Sequence, residues 1–295
     1  MEAMAHAGRS PVFQEGELAL LVDRKNRRYL VTLRGDRAFH SHVGALPHSE
    51  VIGSEPGSWF RTSHGQALLA LRPTFADYVL EVPRVTQVVY PKDLGAILVL
   101  GDIFPGALVV EAGLGSGALT AALLRAVGER GRVVTYEIEE GYVARGLQNV
   151  RAVVPDTSNL EVRLGDIYQG IAERGVDRVV LDVPEPWHVV PHAAEALVPS
   201  GVFLSYLPTI LQVHRLVEAL HQDGRYQMVE TVEVLLRPWY VTAQSVRPVH
   251  RMVAHTAFLV TARRCRPRGV AVAPEPAAAE ALPQGAAPPR EQRPT

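Results

Sequence analysis

Apolar and polar positions change their period along this chain of 295 residues, and the changes mark its parts. Between residues 16 and 65 the apolar runs are short and β-like. Leu18-Ala19-Leu20-Leu21-Val22 leads into a charged turn over 23–28, and Tyr29-Leu30-Val31-Thr32-Leu33 follows. Gly35, Gly44, Pro47, Gly53 and Gly57 punctuate the remainder without a helical period, which predicts a small antiparallel β domain. Helices are expected over 73–82, with Pro73 near the start, and over 94–100. From Ala107 strand and helix alternate. Strands are predicted at 107–112, 132–137, 160–165, 176–182 and 201–207, with helices starting near 116, 139, 188 and 209. Two more strands, about 226–236 and 255–263, bring the total to seven. Such alternation predicts an α/β, Rossmann-like fold with a mostly parallel sheet, helices on both faces and ligands at the carboxyl ends of the strands. The expected organisation is a flexible leader (1–15), a small β domain (16–65), a Rossmann-like domain (66–265) and a tail (266–295). The last 29 residues hold seven prolines and eight alanines, too little bulk to form a core.

The first strand-to-helix turn carries the most specific pattern. In Val109-Val110-Glu111-Ala112-Gly113-Leu114-Gly115-Ser116-Gly117-Ala118-Leu119-Thr120 an acid precedes glycines at every second position. Glycine lets a ligand approach the backbone, with no Cβ in the way. The spacing is Gly-x-Gly-x-Gly, since position 118 is alanine, and so it is not the Gly-x-Gly-x-x-Gly of dinucleotide sites. Glu111 would repel a pyrophosphate but suits the ammonium group of a methionine-type cofactor. The turn therefore reads as an S-adenosylmethionine loop using Gly113, Gly115 and Gly117. Glu137 ends the second strand, where a carboxylate holds ribose hydroxyls in folds of this kind. Asp166 ends the third. It reads equally as an acceptor for the cofactor's adenine amine and as a plain loop aspartate.

Asp182 ends the fourth strand and is followed by the rigid loop Val183-Pro184-Glu185-Pro186-Trp187, which the topology puts beside the cofactor's methyl group. Methylation of adenine N1 spreads positive charge onto the exocyclic N6 amine. A carboxylate accepting a hydrogen bond from N6 stabilises that charge and can take the proton. Asp182 is the candidate; the competing reading makes it a cap for the next helix. Trp187 or a nearby tyrosine is a candidate to stack on a base withdrawn from its helix. Tyr206, at the end of the fifth strand, reads as a lining of the same mouth or as a core residue.

Composition narrows the class. A hydrophobic fraction of 47% and a charged fraction of 21% are those of a soluble globular protein. Cys265 is the only cysteine, which excludes a disulfide framework. No signal-like segment or membrane-length apolar run occurs, so a cytoplasmic location is expected. Net charge is −1, but its distribution is uneven. Seven arginines and no acids lie between Arg237 and Arg268, and Arg24, Lys25, Arg27, Arg28, Arg34 and Arg37 face only Asp23 and Asp36. Such stretches suit phosphates, though they also occur as ordinary solvated faces. His40, His42, His48 and His64 lack acids or cysteines at ligand spacing, so no metal is expected.

Together these residues resemble the bacterial and archaeal tRNA (adenine-N1)-methyltransferases that act on adenosine 58 of the T-loop. The resemblance covers about residues 15–264. It is carried by Tyr90-Pro91-Lys92-Asp93, Glu111 through Gly117, Leu181 through Trp187, and Val253-Ala254-His255-Thr256-Ala257-Phe258-Leu259. It implies Asp182 as catalytic carboxylate and cofactor contact, and Tyr90 and Tyr206 near the target adenine. It also implies Ser116, Gly117, Ala118, Leu119, Glu137, Tyr142 and Asp166 as holding the cofactor, a homotetramer, and an N-terminal domain that helps contact tRNA. Pro184 and the tail after 266 depart from the shared pattern, and some archaeal relatives also modify adenosine 57.

Three rival readings follow from the same residues. A methyltransferase acting on a protein or small molecule needs neither the Tyr-Pro-Lys-Asp segment nor the basic C-terminal region. A non-catalytic nucleic-acid-binding protein need not keep Glu111, Glu137 and Asp182 together. A dehydrogenase is disfavoured by the glycine spacing.

Overall fold

The computed structural model describes residues 10–82 and 87–266. Most of the expected leader and all but Arg266 of the expected tail fall outside these residues. Phe13 is fully buried in the N-terminal core and its N–H donates to Ser54 O at 2.9 Å.

The N-terminal unit is built as its turn residues predict. Strands β1 (Leu18–Asp23), β2 (Arg28–Thr32), β5 (Trp59–Arg61) and β6 (Ala67–Leu71) form a sheet in the order β2-β1-β6-β5. A hairpin of β3 (Ala38–Ser41) and β4 (Gly44–Pro47) and a single helical turn, α1 (His48–Val51), complete it. Strand β6 lies beyond residue 65 and pairs with β1 from Leu20↔Leu71 to Asp23↔Leu68, so this sheet runs on to Leu71. Phe13, Leu21, Leu33, Leu46 and Leu68 form its core. Helix α2 (Phe75–Glu81) follows, opened by Thr74 in a capping box with Asp77. It ties the two halves of the chain together. Asp77 binds Arg28 of β2 at 2.7 Å, and the Tyr78 hydroxyl donates to Asn149 O at 2.7 Å.

The second unit has the expected alternation. It contains helices α3 (Pro91–Leu100), α4 (Ala118–Val127), α5 (Glu140–Val153), α6 (Val190–Ala196) and α7 (Ile210–Asp223). Its strands are β7 (Leu108–Ala112), β8 (Arg132–Glu137), β9 (Leu160–Leu164), β10 (Val176–Leu181), β11 (Leu197–Leu207), β12 (Tyr226–Glu233) and β15 (Phe258–Arg264). They make one sheet in the order β12-β15-β11-β10-β7-β8-β9, parallel from β11 to β9 and antiparallel around β15. Apolar residues cover both faces: α6 and α7 bury one, and α3, α4 and part of α5 bury the other. The chain reverses direction of travel between β7 and β10, and loops leaving these neighbouring strands part there to form a crevice.

A short hairpin, β13 (Trp239–Thr242) with β14 (Ser245–Pro248), projects between β12 and β15 and was not expected from the sequence. Leu235, Leu236, Trp239, Val241 and Val246 along this arm are exposed.

Phe203 of β11 is fully buried and packs edge-on against Tyr226 at 5.8 Å between ring centroids. Phe203→Ala is expected to cost about 3–5 kcal/mol, the scale of a deleted core aromatic. Urea unfolding of the variant measures this directly; a loss under about 1 kcal/mol would place Phe203 outside the cooperative core.

Candidate active site

The crevice begins at the glycine loop. Gly113, Gly115 and Gly117 all have positive φ, at 90°, 44° and 78°. Two are also sterically obligatory. A Cβ on Gly113 would sit 2.3 Å from the carbonyl oxygen of Asp182, and one on Gly117 would sit 2.6 Å from Gly146 O. Ser116 is buried, and its carbonyl accepts from Asn149 Nδ2 at 3.0 Å. Ala118 and Leu119 are buried in the helix–sheet core, so only their backbone, in the first turn of α4, faces the loop. Helix α5 closes on the loop through Gly146, where a Cβ would meet Leu114 Cγ at 2.8 Å. Gly146 and Asn149 were not singled out in the sequence; a glycine and an asparagine inside a helix are the signals that mark them.

Glu137 is anchored by three amides. Its Oε2 accepts from Gly115 N at 3.1 Å and its Oε1 from Ile138 N at 2.9 Å and Glu139 N at 3.0 Å. With Ala112, Gly113, Asp166, Tyr168, Val183 and Pro184 among its neighbours, it lines a cavity of about 300 Å³ at the carboxyl end of the sheet. Asp166 lines this cavity and also caps the turn that follows it, its Oδ1 accepting from Tyr168 N at 2.9 Å. Tyr142 lies half-buried in the first turn of α5 and is not part of the cavity wall.

Glu111 is placed differently from the expectation of an open acid beside a ligand. It is fully buried under the loop, its Oε2 accepts from Thr120 Oγ1 at 2.7 Å, and its Oε1 has no partner. Burial pushes its pKa up to about 8, with the Thr120 and Thr135 hydroxyls opposing and Asp182 and Glu137 adding repulsion. The unsatisfied oxygen leaves capacity for one further donor.

Asp182 stands at the mouth. Its N–H donates to Ala112 O at 2.9 Å, which fixes the backbone, while its side chain accepts no hydrogen bond among the described residues. It caps no helix: Glu185 occupies the cap position of the next turn. Burial raises its pKa to about 7. The loop beyond it is held on three sides. Glu185 N donates to Tyr168 Oη at 2.9 Å, Gln212 Nε2 donates to Pro184 O at 2.9 Å, and the Arg215 guanidinium lies 4.2 Å from the centre of the Trp187 ring. One face of the Trp187 ring is thus covered by Arg215.

Tyr206 is buried beside this carboxylate, and burial holds its hydroxyl well above the usual phenol range, with Asp93, Asp182 and Tyr90 adding to the effect. Tyr90, the residue before α3, lies in the same group. The two sequence motifs without a generic explanation meet behind it. Lys92 Nζ donates to Asp93 Oδ1 at 2.8 Å, to Val234 O at 2.7 Å and to Thr256 Oγ1 at 2.6 Å, and Thr256 Oγ1 donates to Asp93 Oδ2 at 2.7 Å. Next to it, His255 Nδ1 meets Glu233 Oε1 at 2.6 Å and Nε2 meets Pro208 O at 2.8 Å. Two acceptors require two ring protons, and these contacts raise the pKa of His255.

This is the geometry of a cofactor loop facing a second, solvent-edged carboxylate across a switch point. Two known families match most of the chain. Residues 67–256 match the family described as tRNA methyltransferase complex GCD14 subunit, and residues 12–65 match TrmI-like N-terminal. The chain belongs to this tRNA methyltransferase family. It is 41% identical over 246 residues to the tRNA (adenine(58)-N(1))-methyltransferase TrmI of Thermus thermophilus, covering 83% of this chain and 96% of that protein. Among solved structures it resembles an S-adenosylmethionine-dependent O-methyltransferase from Thermotoga maritima, with TM-score 0.84, 34% identity, and 90% and 99% of the two chains covered. It also resembles the tRNA (m1A58) methyltransferase TrmI from Aquifex aeolicus, with TM-score 0.76, 29% identity, and 86% and 99% covered. The fold is that of S-adenosylmethionine-dependent methyltransferases, and the glycine cradle, the spare Glu111 oxygen and the anchored Glu137 fit that cofactor.

Gly113→Ala is expected to separate the β7 and β10 loops and to weaken S-adenosylhomocysteine binding at least about tenfold, since a Cβ there overlaps backbone that cannot rotate away. Calorimetric titration tests it; unchanged affinity would mean that the loop relaxes freely.

Proposed function

We propose that this protein methylates N1 of adenosine 58 in the T-loop of tRNA. The observation that carries the reading is Asp182, a half-buried carboxylate without a hydrogen-bond partner of its own, at the cofactor-facing crevice of a tRNA methyltransferase fold. When bound, S-adenosylmethionine supplies an electrophilic methyl group. Residues 113–119 cradle it with backbone, Glu137 takes the ribose hydroxyls, Asp166 faces its adenine, and Glu111 offers its spare oxygen from below. Tyr142 closes this end from α5. Asp182 accepts a hydrogen bond from the target adenine's N6 amine, and its raised pKa suits it to hold the proton released as charge develops on the ring. Tyr90 and Tyr206 flank the base.

Exposed basic residues support a tRNA surface. Of the N-terminal cluster, Arg27 and Arg28 are paired with Asp23 and Asp77, while Arg24, Lys25, Arg34 and Arg37 form no ion pair among the described residues. The exposed apolar hairpin arm supports association into an oligomer, for which we take the homotetramer, because contiguous apolar surface of this kind marks interfaces. No described helix is long and apolar enough to cross a membrane; we place the enzyme in the cytoplasm, with its tRNA.

The deciding experiment is methyl transfer to unmodified tRNA transcripts, with the product located by mass spectrometry. N1-methyladenosine at position 58 is expected. Methylation at 57 as well would widen the target, and none on tRNA would return the function to a protein or small-molecule substrate. Asp182→Asn is expected to keep cofactor binding and lose at least about 10²-fold in turnover; near-normal turnover would remove Asp182 from the reaction.

The pH dependence has a definite sign. Only ionised Asp182 can take the proton released from N6, so kcat/KM should fall as pH drops below about 7. Stability runs the opposite way. A carboxyl whose pKa is higher folded than unfolded stabilises most below its unfolded value of 3.8, and that contribution is lost as pH rises through about 7. Asp182→Asn should therefore melt higher than the parent at pH 8 while remaining inactive; a lower melting temperature would contradict the burial.

A further inference from the structure

The N-terminal unit holds a cavity of its own, of about 450 Å³, between β2 and β3, with Arg34, Arg37, Phe39, His40 and His48 in its wall. A tight turn sets the two arginines. Arg37 N donates to Arg34 O at 2.9 Å, which closes residues 34–37. Such a turn brings its end residues within about 7 Å of each other. His48 pins the turn from the other side. Its N–H donates to Arg37 O at 2.9 Å, and its Nδ1 accepts from Arg34 N at 3.1 Å. Gly35 N donates to Glu15 Oε2 at 3.0 Å.

The bond to Nδ1 fixes the tautomer of His48. A ring nitrogen that accepts carries no proton, so the neutral ring bears its hydrogen on Nε2. His48 is only 6% exposed, and its Nε2 has no partner among the described residues. A buried donor left unmade is costly and calls for an acceptor. Burial lowers the pKa of the ring, with Arg37 adding to the effect and Glu15 and Asp36 opposing it, so the positive charge belongs to the arginines. Both are exposed and form no ion pair among the described residues. The acids stand aside from the cavity wall: Glu15 is taken up by Gly35 N, and Asp36 is exposed within the turn.

We infer that this cavity is a phosphate site, in which Arg34 and Arg37 grip one phosphodiester of the tRNA backbone and the Nε2–H of His48 meets one of its oxygens. The inference rests on the tRNA reading above and adds to it a fixed point of contact away from the target base. A phosphodiester spreads one charge over two free oxygens, and guanidinium forks meet such oxygens in pairs. The neutral imidazole supplies direction without further charge. Because four hydrogen bonds already hold the turn, little ordering is needed on binding. A contact of this kind positions an RNA without reading its sequence.

The test measures binding of the full-length enzyme to tRNA transcripts at several salt concentrations. The variants are Arg34→Gln with Arg37→Gln as a pair, Arg37→Lys, and His48→Asn. Melting temperature and S-adenosylhomocysteine affinity serve as controls of the fold. The pair should bind at least about tenfold more weakly at about 0.15 M salt, and its slope of log affinity against log salt should fall by about one, the counterions of one phosphate. Arg37→Lys keeps the charge but loses the fork, and should still lose about threefold. His48→Asn keeps an acceptor for Arg34 N but not the Nε2 donor, and should lose about threefold with the salt slope unchanged. Should it fail to fold, the arginine variants decide. Ethylation interference then locates the contact: one phosphate whose ethylation weakens the parent should have no effect on the pair. Full affinity in Arg37→Lys, with the same ethylation pattern in parent and pair, would overturn the site and leave the arginines as diffuse charge. Calorimetric titration with inorganic phosphate separates the two sources of the anion. Phosphate binding that the pair abolishes, beside unchanged tRNA affinity, would give the cavity to free phosphate and overturn the assignment to RNA. A parent enzyme that binds S-adenosylhomocysteine but no tRNA would overturn the tRNA reading itself, and this inference with it.

Discussion

Much of this molecule depends on one close approach of backbone to backbone. Gly113 and Asp182 end neighbouring parallel strands, and their loops pass so near that any side chain on residue 113 would overlap the carbonyl of residue 182. The contact makes two functions into one object. The loop suited to hold a cofactor and the carboxylate suited to act on a base are separated by a peptide plane, so neither can shift without the other. Electrostatics reinforces the coupling. Glu111, Glu137 and Asp182 are three acids crowded at one end of the sheet, and two of them have raised pKa values for want of solvent and of positive partners. A cluster of this kind is poorly satisfied alone and is relieved by a cationic ligand. The protein stores that mismatch where the cofactor fits.

Around this contact the supporting parts are ordered by what they hold still. Tyr168, in the turn after β9, and Gln212 and Arg215 of α7 fix the 183–187 loop, so its prolines do not act alone. Asn149 and Gly146 hold the glycine loop from α5. On the opposite side the buried lysine–aspartate–threonine cluster joins α3 to the approach of β15. Breaking a buried ion pair of this type by removing one member generally costs about 3–5 kcal/mol, because the other charge is left without a partner. Its completeness, with every proton placed, allows it to specify an orientation as well as an attachment.

The sequence made the second unit legible because its signals are local. Strand alternation, the acid-glycine turn and the acids closing β8, β9 and β10 are each written within a dozen residues. The misses have the opposite character. Phe13 is apolar within a polar stretch, and only the fold of the N-terminal sheet shows that it is core. Trp187 reads as an aromatic beside a catalytic loop, and only α7, some thirty residues on, reveals that Arg215 covers one face of it. The hairpin over 239–248 is short, exposed and without a core face, so no hydrophobic period announces it. Lys92-Asp93 and His255-Thr256 stood out as unusual, yet nothing in either motif states that they pair across more than 160 residues. Glu111 was legible as an acid of the cofactor loop but not as a buried one, because the sequence does not tell which way a strand's last residue faces.

The position of β15 has a consequence for how the chain is made. It is the last of the described strands in sequence but the second in the sheet, inserted between β11 and β12. Until it arrives, β11 presents an open edge of unpaired amides and carbonyls, and β12 has no partner at all. Thr256 and His255 arrive with it. During synthesis the glycine loop, Glu137 and Asp182 can all be in place while the wall behind the target base is still missing. A nascent or truncated chain would thus be competent for the small ligand before the large one, and sticky along one edge in the meantime. The final strand closes the sheet and completes the site in a single step.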